Sequence, residues 1–129
     1  AAACATIDAY RDENIFANVQ KVGKVLGEIL EGLKQKHACV GDVRYIGLFS
    51  VIELVKDKAT KEPLVPYNQD PEKIMGKIVG QLYRGGFYTY SHENTIQVSP
   101  PLIITEAELR DAMGIMDQVL DDVDKMIQP

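Results

Sequence analysis

The sequence predicts an α+β fold, a two-layer sandwich in which a small, largely antiparallel sheet carries helices on one face. Three observations lead there. Long stretches near the start and at the end repeat apolar residues at helical steps, and short runs of β-branched and aromatic residues lie between them. The segments also follow in the order helix, two strand segments, helix, two strands, helix, with no internal repeat. At 129 residues and 46% hydrophobic content the chain has enough apolar surface for one core, so a single domain over 1–129 is expected.

Each element has its own warrant. Residues 1–10 are strong helix formers, and Ile15, Phe16, Val19, Val22, Leu26, Ile29, Leu30 and Leu33 continue on one face, which predicts a long amphipathic helix bent near Asn14. Val43–Ile46 and Phe49–Val55 have strand composition and are separated by Gly47. The charged stretch from Lys56 to Asn68, with Pro63 and Pro66, reads as a surface excursion. Asp70-Pro71 predicts a helix start, Asp as the cap and Pro at the first helical position, with Ile74, Met75, Ile78 and Leu82 as the buried stripe. Gly85-Gly86 stops that helix. Phe87–Tyr90 and Thr95–Val98 then bracket Ser91–Asn94 as a hairpin, and Pro100-Pro101 keeps the second strand from running on. Thr105 to Glu108 is a capping box, followed on one face by Leu109, Met113, Met116, Leu120, Val123 and Ile127.

Composition excludes several functions. A net charge of −5 with interspersed signs offers no basic face for nucleic acid, and no apolar run spans or anchors to a membrane, so a cytoplasmic protein is expected. Cys4 and Cys39 suit neither a disulfide framework nor a zinc site, and both read as buried small residues. No metal site is assigned, because the run Asp121-Asp122-Val123-Asp124 reads as a solvated helix face. Catalytic motifs are lacking. His37 reads as a favourable cation at a helix C-terminus and His92 as an exposed hairpin residue. Arg44, in an otherwise apolar segment, is expected to pair with Asp42 or Glu53, with substrate or interdomain contact as its other role. Tyr88 and Tyr90 read as packing residues that can also rim a pocket.

Particular strings are more specific. Gly41-Asp42-Val43-Arg44-Tyr45-Ile46-Gly47-Leu48, with Ile52-Glu53-Leu54-Val55-Lys56-Asp57 and Thr60-Lys61-Glu62-Pro63, resembles a stretch of the class III aminotransferases. Ile96 to Thr105, through Ser99-Pro100-Pro101, resembles that family's closing stretch, and Ala1 to Asp8 resembles the helix after its catalytic domain. The resemblance implies the C-terminal small domain of a fold type I enzyme, cut from a longer protein. It implies a homodimer that moves an amino group from an amino acid or ω-amine to a 2-oxo acid. Pyridoxal 5'-phosphate would form a Schiff base on a lysine of the large catalytic domain, upstream of Ala1. Lys56, Lys58 and Lys61 lie in an exposed charged segment and do not match that lysine, so no covalent cofactor attachment and no catalytic residue are expected in this chain.

The same resemblance singles out Tyr90, Gln97 and Arg44 as substrate-pocket candidates. Several family members carry a carboxylate-clamping arginine at the position of Gln97 or near that of Tyr90. Neither is arginine here, which hints at an ω-amine, β-amino acid or sulfonate donor, although Arg84 or a large-domain residue could serve instead. Arg44 matches the family's V-R-G arginine, but Tyr45 replaces the glycine, so the backbone approach there is expected to differ. The competing readings are a free-standing ligand-binding or regulatory α+β module and a dimerisation domain of a catalytically dead homologue. A chain separated from its large domain should also show an exposed apolar patch or cover it by self-association.

Overall fold

The computed structural model describes residues 1–127 and contains four helices and five strands among them. The opening helix, expected to bend near Asn14, is broken there into two, α1 (Ala2–Asp12) and α2 (Ile15–Lys36). Asn14 breaks them apart in the left-handed region at φ 52°, a conformation asparagine tolerates better than most residues. α1 buries none of its residues, so it presents Cys4 to solvent rather than in a core. The Tyr10 and Phe16 rings, 5.4 Å apart, pack across the joint.

β1 (Val40–Ile46) and β2 (Phe49–Asp57) form a hairpin around Gly47, and β5 (Thr95–Val98) pairs with the other edge of β2. With β4 (Ser91–His92) the order is β1-β2-β5-β4, all antiparallel, and β3 (Glu62–Pro63) adds to the far end of β2. Alternation along β2 and β5 sends Ile52, Leu54, Ile96 and Val98 into one core with Leu26 and Leu30 of α2, Ile78 and Leu82 of α3 (Ile74–Arg84), and Met113, Met116 and Leu120 of α4 (Glu106–Ile127). The α+β sandwich is therefore as expected, with its helices on one sheet face.

Three local expectations are corrected. The segment 56–68 is not wholly a surface excursion, because Leu64 and Val65 are buried and Asn94 exchanges two hydrogen bonds with the Val65 backbone (2.6 and 2.8 Å). Asp70 does cap α3, accepting from the N–H groups of Ile74 (2.7 Å) and Met75 (3.0 Å), but Pro71 lies in the preceding turn and the helix begins at Ile74. The second hairpin is shorter than expected. Ser91 pairs with Ile96 and His92 with Thr95, leaving Glu93-Asn94 as the link, and Phe87–Tyr90 is not a strand. Thr89 explains part of the difference, since its hydroxyl bonds the Gln97 carbonyl directly.

The other signals agree with the structure. Gly86 ends α3 at φ 92°, with its N–H donating to Tyr83 O (3.0 Å) and that of Phe87 to Leu82 O (2.8 Å). At the capping box the Thr105 N–H donates to Glu108 (2.9 Å) and the Glu108 N–H to the Thr105 hydroxyl (3.3 Å).

Glycines set how closely the β1–β2 hairpin approaches α2. A Cβ on Gly23 would lie 2.9 Å from the backbone of Gly47, whereas one on Gly27 would lie 2.7 Å from the Tyr45 ring. Backbone cannot step aside, but Tyr45 is 45% exposed and its ring can. Gly23→Ala should therefore cost roughly 2 kcal/mol through hairpin displacement. Gly27→Ala should cost clearly less, and urea unfolding midpoints of the two variants will rank them.

Candidate functional site

The sheet has one covered face and one bare face, and the candidate residues lie on the bare one. Register pairs Arg44 with Val51 and Val51 with Gln97, and the Gln97 N–H donates to Tyr90 O at 2.9 Å. Arg44, Val51, Gln97 and Tyr90 thus make one row across the sheet, opposite to the buried Ile52 and Ile96. With strands about 4.8 Å apart, the ends of this row are roughly 14 Å apart, so Arg44 and Tyr90 cannot grip the same end of a small molecule.

Arg44 is committed within the sheet. Its guanidinium donates to Asp42 (2.9 Å) and Glu53 (2.7 Å), so both expected partners are used. The bond to Glu53 holds the guanidinium pKa above its ordinary value, and the bond from Lys34 holds the Asp42 carboxyl below the ordinary carboxylate value. The Arg44 pairs are about half exposed and contribute little to stability, of order 0–1 kcal/mol each. At the other end the Gln97 amide donates to the Ser99 hydroxyl (2.8 Å), and Tyr90 is 62% exposed. Tyr88 stacks on Tyr83 at 5.1 Å. On the helix side of β5, a cavity of about 370 Å³ opens between Phe87, Val98, Pro100, Pro101, Ile104 and Met113, and neither Gln97 nor Tyr90 lines it. The bare face also exposes Ile46 (78%) opposite Phe49 (51%) at the hairpin tip, an apolar pair of the kind expected of a face that another unit covers.

A second polar cluster was missed by sequence reasoning. His37, the C-cap of α2, is fully buried, with Nε2 2.8 Å from Asp117 and Nδ1 2.8 Å from Asp124. Both ring nitrogens are thus within hydrogen-bond distance of an α4 carboxylate. The Cys39 N–H also donates to Asp124 (2.8 Å), and burial pushes the Cys39 thiol far up in pKa. The acidic run at 121–124 is therefore not simply a solvated face, because Asp124 docks α4 onto the α2–β1 turn. Ligand-type atoms of His37, Asp121 and Asp124 lie within 4.8 Å of one another. The cluster already holds a cation, however, with Lys36 Nζ 2.7 Å from Asp117 and 3.3 Å from Asp121. The only available signal was the spacing Asp117, Asp121, Asp124, which puts three carboxylates on one helical stripe.

Burial alone would raise the pKa of Asp117 and Asp124. Hydrogen bonds from Lys36 and His37 to Asp117, and from Cys39 and His37 to Asp124, outweigh it and hold both below the ordinary value of 3.8. A carboxylate depressed in the folded state stabilises fully above its unfolded pKa, and that contribution is lost as pH falls through the folded one. Stability should therefore drop as pH falls below about 4, and the drop should be smaller in Asp124→Asn. Asp124→Ala should cost about 3 kcal/mol at neutral pH by leaving His37 with one partner; urea unfolding across pH will check both.

No lysine among the described residues fits a Schiff base. All are exposed except half-buried Lys34, whose bond to Asp42 raises its pKa, the opposite of what such a lysine needs. Among the described residues no helix is long and apolar enough to cross a membrane.

This sandwich with one bare sheet face is an architecture found within transaminases. It superposes on taurine:2-oxoglutarate aminotransferase from Bifidobacterium kashiwanohense, solved with PLP and glutamate, with TM-score 0.91 and 36% identity, covering 97% of this chain and 28% of that one. Residues 1–120 match the family Aminotransferase class-III, and the chain belongs to that family. It is 38% identical over 129 residues to a taurine–pyruvate aminotransferase of Bilophila wadsworthia, covering 97% of this chain and 28% of the relative. It is 41% identical over 108 residues to an adenosylmethionine-8-amino-7-oxononanoate aminotransferase of Methanocaldococcus jannaschii, covering 84% of this chain and 22% of the relative. The chain thus spans little more than a quarter of the relatives that it matches most fully.

Proposed function

We propose that this chain is the C-terminal small domain of a PLP-dependent transaminase that takes a short amine with an anionic tetrahedral head group as donor and a 2-oxo acid as acceptor. The observation that carries the reading is the fit of nearly the whole chain to about a quarter of a taurine aminotransferase. In this reading the cofactor and its lysine belong to the large catalytic domain, the bare sheet face is covered by that domain, and two copies form the enzyme in the cytoplasm. PLP supplies the electron sink, and this chain shapes the pocket wall.

The donor class has two supports. Relatives include, besides the taurine enzymes, an ethanolamine-phosphate phospho-lyase homolog of Caenorhabditis elegans at 32% identity and an (R)-1-hydroxy-2-aminoethylphosphonate ammonia-lyase of Vibrio splendidus at 33%. The compounds in those names all join a primary amine, through two carbons, to a sulfonate, phosphate or phosphonate. In addition, the positions where family members hold a carboxylate with arginine are Gln97 and Tyr90, which offer neutral donors. Two taurine transaminases at 36 and 38% identity favour amino transfer over elimination.

Full-length protein with PLP, taurine and pyruvate should yield alanine and sulfoacetaldehyde in equal amounts. Phosphate release from ethanolamine phosphate without alanine formation would overturn transamination in favour of a lyase. Gln97→Arg should shift preference from taurine toward α-carboxylate donors by about tenfold in kcat/KM, as a bidentate pair replaces a neutral contact.

A further inference from the structure

We propose that Asn18 is a positioning residue for the pocket wall: from the first turn of α2 its amide pins the loop after β5, and through Ser99 that loop sets the Gln97 amide. Asn18 is half-buried, and its Nδ2 lies 2.8 Å from Leu102 O and 3.1 Å from Ile104 O. Both partners are carbonyls, which fixes the amide orientation with nitrogen toward the loop. One nitrogen with two hydrogens thus satisfies two backbone acceptors more than 80 residues away in sequence.

Apart from packing of Leu102 and Ile104 against the core, the loop has few other hydrogen bonds. Pro100 and Pro101 bring no N–H, and its internal backbone bond runs from Ile104 N–H to Pro101 O at 3.0 Å. Leu102 and Ile104 are half-buried, so their carbonyls are partly shielded from water and an alternative partner is costly. Ser99 opens the segment and holds Gln97 at 2.8 Å, while Pro100, Pro101 and Ile104 form one wall of the cavity beside it. A loop that slides relative to α2 therefore carries Ser99 with it and releases the Gln97 amide. Asp at position 18 would keep the shape and replace the donor with a carboxylate facing two carbonyls, so it should push the loop away rather than merely release it.

The inference rests on the transaminase reading for the role of Gln97, and its test separates the two. In the full-length PLP enzyme, Asn18→Asp should raise KM for taurine about tenfold with kcat changed no more than about twofold, and Asn18→Ala should do the same to a smaller degree. Hydrogen exchange over 99–105 should quicken in both variants while that of the α2 core over 22–33 stays at the wild-type rate. Val119→Ala, a core truncation in α4 remote from the loop, supplies the control for general destabilisation and should leave KM for taurine unchanged. Asn18→Ser is the milder variant if Asn18→Asp does not fold, with a rise of the same sign. An active wild type whose variants exchange faster in the loop yet keep the wild-type KM overturns the positioning role alone. A wild type that transfers no amino group from any donor overturns the transaminase reading, and the role with it.

Discussion

β2 is paired along both edges, with β1 on one side and β5 on the other, and its alternation fixes what every neighbouring strand presents to each side. Ile52 and Leu54 face the helices with no solvent exposure, so Val51 and Glu53 must face away. Register then carries Arg44, Gln97 and Tyr90 to the same bare side. A one-residue slip of β5 would bury the Gln97 amide and expose Ile96, and the cost of that exchange holds the candidate row in place. The candidate face is in this sense the reverse side of the core.

The helical layer depends on a different interaction. Hydrophobic burial is nondirectional and would tolerate sliding of α4 over its neighbours, but buried His37 permits one arrangement, with Asp117 on one ring nitrogen and Asp124 on the other. Asn18 plays the corresponding part at the other end of α2, where it holds the connection that leads into α4. Two polar fasteners at opposite ends of one helix thus register α4 and the loop before it against the sheet.

Membership of the class III aminotransferases gives the bare face its meaning. The sheet leaves Ile46 and Phe49 exposed, and the chain matches about 28% of the length of its taurine-aminotransferase relatives; in the proposed function the large domain covers this face. Arg44, the one strand arginine, is neutralised by two carboxylates, while Gln97 and Tyr90 remain as neutral hydrogen-bonding groups on the bare face.

The sequence by itself determined the elements whose cause is local. The period of α2 and α4, the Gly86 stop, the Thr105 capping box and the strand composition of β1, β2 and β5 each depend on neighbours a few residues away, and each was legible. The motif strings also carried the family, and Asp42 and Glu53 were identifiable as partners of Arg44 because they lie on the same hairpin. Only the tertiary structure decided the burial of Leu64 and Val65, the short β4 and the transfer of Phe87–Tyr90 out of the strand. It alone brought His37 to Asp117 and Asp124, and Asn18 to Leu102 and Ile104. Those contacts join residues 80 or more apart, and the side chains involved have equally good local lives in solvent. Only the packing of α4 and the loop against α2 removes that solvent and makes each amide, imidazole and carboxylate choose its partner.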